Sequence, residues 1–346
     1  MEELKKILRE HKDRYPELVP VDLVKLIYQN EFGCGHFITD EQASLARLQA
    51  EAEGIEYSPG ELFEPIGNGL VRLHLRHLGG ALPLETVNRF FSLTAGEERG
   101  SKEGFEAKLE LLRELFPSAE LDAYLAAYKE AGYPPASHSQ AYREHYSPSY
   151  RIVSSAFALY FPVFERIEEL LVRQGAAVIA IDGRSGSGKS FLGRLLHDVY
   201  GCPVIAMDHF FLRPEQRTSS RLAEPGGNVD YERFMLEAGR KLKSGEGFRY
   251  RIYHCQTNSF SPSPEIGPHH LTVVEGCYSH HPALSELYDL KVFLTVDPQL
   301  QQKRLLERSG PAMLERFLNE WIPLEELYFS ALDIAGQADV CVAAGE

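Results

Sequence analysis

Long apolar runs are missing from this chain: none reaches the ~18 residues that a membrane-spanning helix requires, so no membrane partner is expected. Cysteine is sparse. The five cysteines (Cys34, Cys202, Cys255, Cys277 and Cys341) are odd in number, scattered, and never spaced C-x-x-C. That pattern argues against a disulfide framework and a zinc ribbon and points to reduced thiols. Positive charge is also short, with 36 Lys and Arg against 50 Asp and Glu and a net charge of -14. Non-specific nucleic-acid binding rests on clustered Lys and Arg, so no nucleic-acid partner is expected. Any anionic substrate must be held by a local positive site. The opening segment MEELKKILREHKDRYPE is charged and helical in pattern, without the apolar stretch of a secretion signal. A cytoplasmic location is the resulting expectation, with homo-oligomerisation left open.

What is present divides in two. The 346 residues are enough for two domains. Residues 1–174 read as a mainly helical, all-α domain of unknown function. Helical patterns run over Asp40–Ala52, Leu84–Leu93, Lys102–Leu115 and Ala119–Glu130, and a longer one over Arg151–Arg173 that Pro162 bends or interrupts. No strand is expected before residue 132. Two stretches stand out there, NEFGCGHFI (Asn30–Ile38) and SHSQAYREHYSPSYR (Ser137–Arg151). Both read equally well as ligand-binding loops and as helix connectors packed by tyrosines.

From residue 175 strands alternate with helices: strands 177–182, 203–207, 271–275, 290–295 and 338–343, helices 189–200, 231–243, 298–308 and 311–333. The alternation predicts an α/β fold, a parallel sheet with crossover helices, over 175–346. Ligands in such sheets bind outside the carboxyl ends of the strands.

The first strand end carries AVIAIDGRSGSGKSFLGRLL, residues 177–196. Gly183-x4-Gly188-Lys189-Ser190 matches the phosphate-binding loop pattern at every fixed position. Backbone N–H groups of Gly183, Ser185, Gly186, Ser187 and Gly188 are expected to curl around phosphate oxygens, which glycines permit. The helix N-terminus adds unpaired donors and its positive dipole end. Lys189 is suited to the β- and γ-phosphates and the Ser190 hydroxyl to Mg²⁺, so ATP and Mg²⁺ are the expected cofactors.

Other strand ends carry acids. Asp208 follows the second strand, where it is placed to take a proton from a hydroxyl, to hold Mg²⁺ through water, or to cap a helix. Glu275 ends the strand LTVVE, as a metal-shell acid or a turn cap. Arg304 and Arg308 share a helix face, either closing over a phosphoryl group or forming a solvated basic face. The pairs His269-His270 and His280-His281 lack metal-ligand spacing and are expected in solvent, although His280, just after the Glu275 turn, is also placed to line the active-site mouth.

Taken in order, GRSGSGKS, MDHFF, NVDYERF, FRYRIYH, VVEG and KRLLER make residues 176–345 resemble the uridine kinase/phosphoribulokinase family of P-loop kinases. The resemblance implies Asp208 as catalytic base and Phe210, in the same element, at the substrate. It implies Asp230 as a ligand for ribose-type hydroxyls and Tyr250 and His254 near the acceptor. Glu275 falls in the Mg²⁺ shell, and Lys189, Arg304 and Arg308 act on the phosphoryl group. Departures are specific. Cys255 stands where uridine kinases place a base-contacting histidine, with His254 one residue earlier. The lid reads ERSGPAMLERF, and Gln301 aligns with an arginine near the nucleoside. The expectation is an ATP- and Mg²⁺-dependent phosphotransferase acting on a hydroxyl of a small molecule, a nucleoside or nucleoside-like polyol. The alternatives are a nucleotide-dependent switch and a bifunctional protein whose helical domain binds a partner or second substrate.

Overall fold

The computed structural model describes residues 1–345 apart from His36, Phe37 and Thr39; that part of the Asn30–Ile38 stretch therefore lies outside the described residues. The chain separates into two compact units, Met1–Ala158 and Leu159–Glu346. The division falls before the expected boundary at Gln174-Gly175, because the helix Phe161–Gln174 buries Val163, Phe164, Ile167 and Leu170 and packs on the strands of the second unit. Pro162 sits in the first turn of that helix and starts it, since a missing N–H costs nothing there.

In the first unit the helices Glu41–Ala52, Leu84–Ala95, Lys102–Leu115 and Ala119–Glu130 stand where the periodicity puts them. Asp40, Ser101 and Ser118 cap three of them through their side chains. The unit is not purely helical, however. A three-stranded antiparallel sheet, β1 (Phe63–Gly67), β2 (Leu70–His74) and β3 (Tyr150–Ser154), runs in the order β1-β2-β3. Its hairpin turns on Asn68 (φ 55°) and Gly69 (φ 70°), two adjacent left-handed residues closed by the pair Gly67 and Leu70. That geometry matches the right-handed twist of paired strands and favours Asn-Gly. The strand β3 also takes the place of the first turn of the helix expected from Arg151.

The second unit contains β4 (Ala177–Gly183), β5 (Val204–Ala206), the hairpin β6 (Arg251–His254) and β7 (Ser259–Pro262), then β8 (Leu271–Glu275), β9 (Leu290–Val296) and β10 (Val340–Ala344). Five of these form one parallel sheet in the order β10-β9-β4-β8-β5, flanked by helices. β4 lies at its centre and is buried at every position, which is why its sequence is a near-continuous apolar run. The β6–β7 hairpin was not anticipated. The helix expected over 231–243 stops at Glu237 and continues as a short 3₁₀ turn, Gly239–Lys241. The one expected over 311–333 divides into Pro311–Arg316, a π-helical turn Phe317–Trp321, and Ile322–Ala331. Pro323 explains the irregularity, because it removes a helical donor and its ring crowds the preceding turn. No helix among the described residues is long and apolar enough to cross a membrane.

Candidate active site

β4 delivers the chain into the glycine-rich loop at its carboxyl end. Gly183 has φ 141°, and a Cβ there would lie 2.0 Å from the Leu294 carbonyl oxygen of the neighbouring strand. Only glycine fits that approach. Gly188 (φ 97°) turns the chain into the helix Lys189–Tyr200, whose first N–H groups face the loop. The Lys189 ammonium donates to the carbonyls of Gly183 (2.7 Å) and Arg184 (3.0 Å), so its charge sits within the loop's curl.

Residues far away in sequence hold the loop's outer side. Glu325 is buried and accepts from the Ser185 backbone N–H (3.0 Å) and from its hydroxyl (2.5 Å). The Gln301 amide donates to the Ser185 carbonyl (2.8 Å), and Arg304 to the Gly186 carbonyl (3.2 Å). Arg184 is clamped by Glu326 (2.7 and 3.0 Å) and by Thr295 (2.7 Å). Asp182, wholly buried at the end of β4, accepts from the N–H groups of Gly183 (2.6 Å) and His280 (2.9 Å) and from the Tyr328 hydroxyl (2.9 Å). Neither Asp182 nor Glu325 was singled out from sequence. The available signals were an acid inside an apolar strand and the buried face of WIPLEELYF. His280, expected in solvent, is buried at the Asp182 junction, with Nε2 3.2 Å from the Ala180 carbonyl.

Opposite Lys189 the Ser190 hydroxyl donates to both oxygens of Glu275, each 3.3 Å away. Gly276 (φ 136°) turns the chain sharply after Glu275, where a Cβ would meet Met207 at 2.8 Å. Burial first, and the charge of Asp208 second, raise the Glu275 pKa, against the pull of Lys189 and of the Ser190 hydrogen bond. These four residues thus share one electrostatic neighbourhood. A divalent cation suits it, because it would relieve the crowding of two carboxylates near a hydroxyl ligand. The described residues contain no cluster of three metal-ligating side chains. The remaining ligands of a magnesium ion would therefore be phosphate oxygens and water, its usual preference beside nucleotides.

Asp208 lies in the 3₁₀ turn Met207–Phe210 after β5, exposed, and makes no side-chain hydrogen bond among the described residues. It caps nothing. The rest of the expected acceptor side is more uneven. Phe210 is fully buried, stacked on Tyr250 (5.2 Å), edge-on to Phe234 (4.9 Å) and under the Arg233 guanidinium (4.4 Å). Its place is the core, not a substrate surface. Tyr250 is also buried, with its hydroxyl 2.9 Å from His209 Nδ1 and its pKa pushed up to about 12 by burial. Asp230 caps the helix Tyr231–Glu237, accepting from the Arg233 N–H (3.0 Å) and from the Gln216 amide (2.8 Å), so both of its oxygens are engaged. His254 is exposed on the β6–β7 hairpin, 2.8 Å from the Ser261 hydroxyl. The charges of Asp208 and His254 both act on the half-buried His209, and Asp208 raises the pKa of Cys255 beyond the effect of burial.

The two lid arginines part company. Arg304 touches the loop, whereas exposed Arg308 donates to its neighbour Ser309 (3.3 Å) and covers the Phe317 ring at 5.5 Å. Gln301 likewise joins the loop instead of the acceptor side.

A parallel sheet, a phosphate-binding loop at the end of its central strand and a serine–carboxylate pair beside the loop define a P-loop nucleotide-phosphate site. Residues 178–310, within the second unit, match the sequence model of the Phosphoribulokinase / Uridine kinase family. No curated protein matches the chain. Among solved structures it is similar to a possible uridine kinase from Bacillus stearothermophilus, at 20% identity and TM-score 0.40, covering 52% of this chain and 99% of that one. It is also similar to a candidate fructose transport system kinase from Silicibacter sp. TM1040 (23%, TM-score 0.42, 53% and 97%). A third is shikimate kinase from Acinetobacter baumannii in complex with shikimate (18%, TM-score 0.29, 52% and 88%).

Proposed function

We propose that the second unit transfers the γ-phosphoryl group of ATP, with Mg²⁺, to a hydroxyl of a small nucleoside-like polyol. The observation that carries this reading is the Ser190–Glu275 hydrogen bond beside the loop that holds Lys189, with exposed Asp208 close enough to perturb Glu275. ATP would supply the phosphoryl group, and Mg²⁺ would offset its charge. Ser190 and Glu275 would hold the metal, and Lys189 is suited to the β/γ-phosphate oxygens. Asp208 accepts the proton of the attacking hydroxyl. Arg304 fixes the loop through Gly186 and adds positive charge at its edge. Most of the rate enhancement would come from positioning and electrostatics, since the transition state of phosphoryl transfer is loose.

On the acceptor side, Asp208, His209 and His254 are the polar groups suited to meet a polyol. Tyr250 supports His209 from within the core. A panel of nucleosides, sugars and other small polyols, assayed for acceptor-dependent ADP release, tests the reading. One acceptor should raise ADP release well above the water-only rate and yield a phosphorylated product by mass. ADP release that no acceptor stimulates would instead favour a nucleotide-dependent switch.

A further inference from the structure

The first unit contains a cavity of about 430 Å³. Small-molecule sites span roughly 300–1,000 Å³. Part of its wall, His138, Pro148, Tyr150 and Arg151, comes from the aromatic, polar stretch Ser137–Arg151, which reads from sequence equally as ligand loop and helix connector. Tyr150, Phe91 and Ile152 give it an apolar side, and Lys25, Arg47 and Arg151 line it with cations. The acids nearby are already engaged. Glu51 accepts from Arg151 (2.8 Å) and from the Ser149 hydroxyl (2.9 Å). Asp22 accepts from the backbone N–H groups of Ser139 (2.9 Å) and Val19 (3.2 Å) and from His138 (3.2 Å). Lys25 forms no ion pair among the described residues; its ammonium donates to the Ala136 carbonyl at 3.1 Å. Burial, and then the charge of Arg72, push its pKa down to about 8, against the opposing pull of Asp22.

The Tyr150 wall is built rigidly. With Asp22 accepting from His138 Nδ1–H, the other ring nitrogen accepts the Tyr150 hydroxyl (2.7 Å), and the Gln29 amide donates to the same oxygen (3.1 Å). Arg72, fully buried, lies 4.7 Å from the Tyr150 ring centre, where Gln29 (2.7 Å) and Glu64 (3.1 Å) hold it. A preformed wall lowers the ordering cost of binding. The local excess of cations also contrasts with a chain of net charge -14.

We propose that this cavity binds a small organic anion, its charged group held by Lys25, Arg47 and Arg151 and its flat body against Tyr150, Phe91 and Ile152. A bare inorganic ion would leave most of the volume and the apolar wall unfilled. The shared chemistry is an anionic head, phosphate ester or carboxylate, on an unsaturated ring. This makes the first unit a ligand-binding module independent of the phosphate-binding loop.

Titration calorimetry on the full chain tests this with phenyl phosphate, benzoate, neutral benzamide and inorganic phosphate. At least one aromatic anion should bind saturably, and benzamide and inorganic phosphate at least tenfold more weakly. Preference for phenyl phosphate assigns a phosphate ester, and preference for benzoate a carboxylate. Lys25→Met should weaken the binding about tenfold or more, as expected for one lost charge-assisted contact. Arg47→Gln, at an exposed position that leaves the core untouched, should weaken it in the same direction, and Lys189→Ala should leave it intact. The proposal fails if folded wild-type protein binds neither anion better than benzamide. It also fails if binding disappears in Lys189→Ala yet persists in Lys25→Met and Arg47→Gln, since the anion would then sit on the phosphate-binding loop.

Discussion

Replacing Glu325 by glutamine should loosen the phosphate-binding loop without altering Lys189, Ser190, Glu275 or Asp208; the Ser185 N–H, expected on a phosphate oxygen, is instead committed to Glu325. The buried carboxylate accepts two hydrogen bonds from Ser185, one from the backbone N–H at 3.0 Å and one from the hydroxyl. Burial raises its pKa, while Lys189 and the two Ser185 bonds pull the other way. Bonds to a charged acceptor contribute about 1.5–3 kcal/mol each and neutral ones about 0.5–1.5 kcal/mol. Glutamine keeps one acceptor oxygen, and the Ser185 hydroxyl can rotate to receive the new amide. The loss is therefore a downgrading of two bonds, about 1–3 kcal/mol, and not an orphaned donor. Glu325→Ala leaves the Ser185 N–H unpaired and should cost more. Urea unfolding and ATP titration on the same samples separate the two destinations of that energy. A lower midpoint means the bonds stabilise the folded state at large; a weaker ATP affinity, roughly 5- to 150-fold by the same energies, means they preorganise the loop. If Glu325→Gln matches wild type in both measurements, the loop does not depend on this contact and the reasoning is refuted.

Three further outcomes can be checked. Asp208→Asn should lower kcat by about 100-fold or more while ATP affinity stays near wild type, the signature of a lost general base; unchanged kcat with collapsed affinity would make Asp208 a metal-shell residue. Arg304→Gln should impair turnover and Arg308→Gln should leave it within about twofold, because an exposed surface contact is worth little and only Arg304 reaches the loop; equal losses in steady-state assays would restore a shared lid role. Burial, and then the charge of Arg221, push the His281 pKa down to about 4 from its ordinary 6.5. The unfolded chain takes up that proton first, so the stability present above pH 6.5 is lost as pH falls toward 4. Glu275 and Glu325, whose pKa values are raised, act with opposite sign. The clean measurement is thus the slope of unfolding midpoint against pH, which His281→Gln should flatten; an identical slope in the variant counts against the assignment.

How much of this was legible beforehand depended on the range of the interaction involved. The loop from Gly183 to Ser190 and the strands around it follow from local rules, fixed glycine spacing and a doubly buried apolar run, and both are found where expected. The hairpin at Asn68-Gly69 was equally local. Two consecutive residues suited to positive φ form a strong turn signal there, between helical patterns that end at Ala52 and resume at Leu84. The partners of the loop belong to another class. Ser185 and Glu325 are 140 positions apart, and Asp182 and Tyr328 are 146 apart. No spacing rule reaches that far. Phe210 illustrates the converse: its motif position suggested a ligand contact, but tertiary packing against Tyr250, Phe234 and Arg233 decided its place.

The same bookkeeping of hydrogen bonds bears on the choice of base. Asp182 is engaged by three donors, Glu275 by Ser190, Glu325 by Ser185, and Asp230 by the Arg233 N–H and Gln216. For any of these to take a substrate proton, a bond that shapes the site would have to break. Asp208 alone among them is exposed and uncommitted within the described residues. The nearest competitor is His209, which burial keeps predominantly neutral near pH 7 and which is tied to the Tyr250 hydroxyl at 2.9 Å. The two candidates separate kinetically. With Asp208 as base, activity in His209→Gln keeps a pH profile of the wild-type shape, and Asp208→Asn abolishes its acidic limb. With His209 as base the pattern reverses, and the acidic limb vanishes with the imidazole.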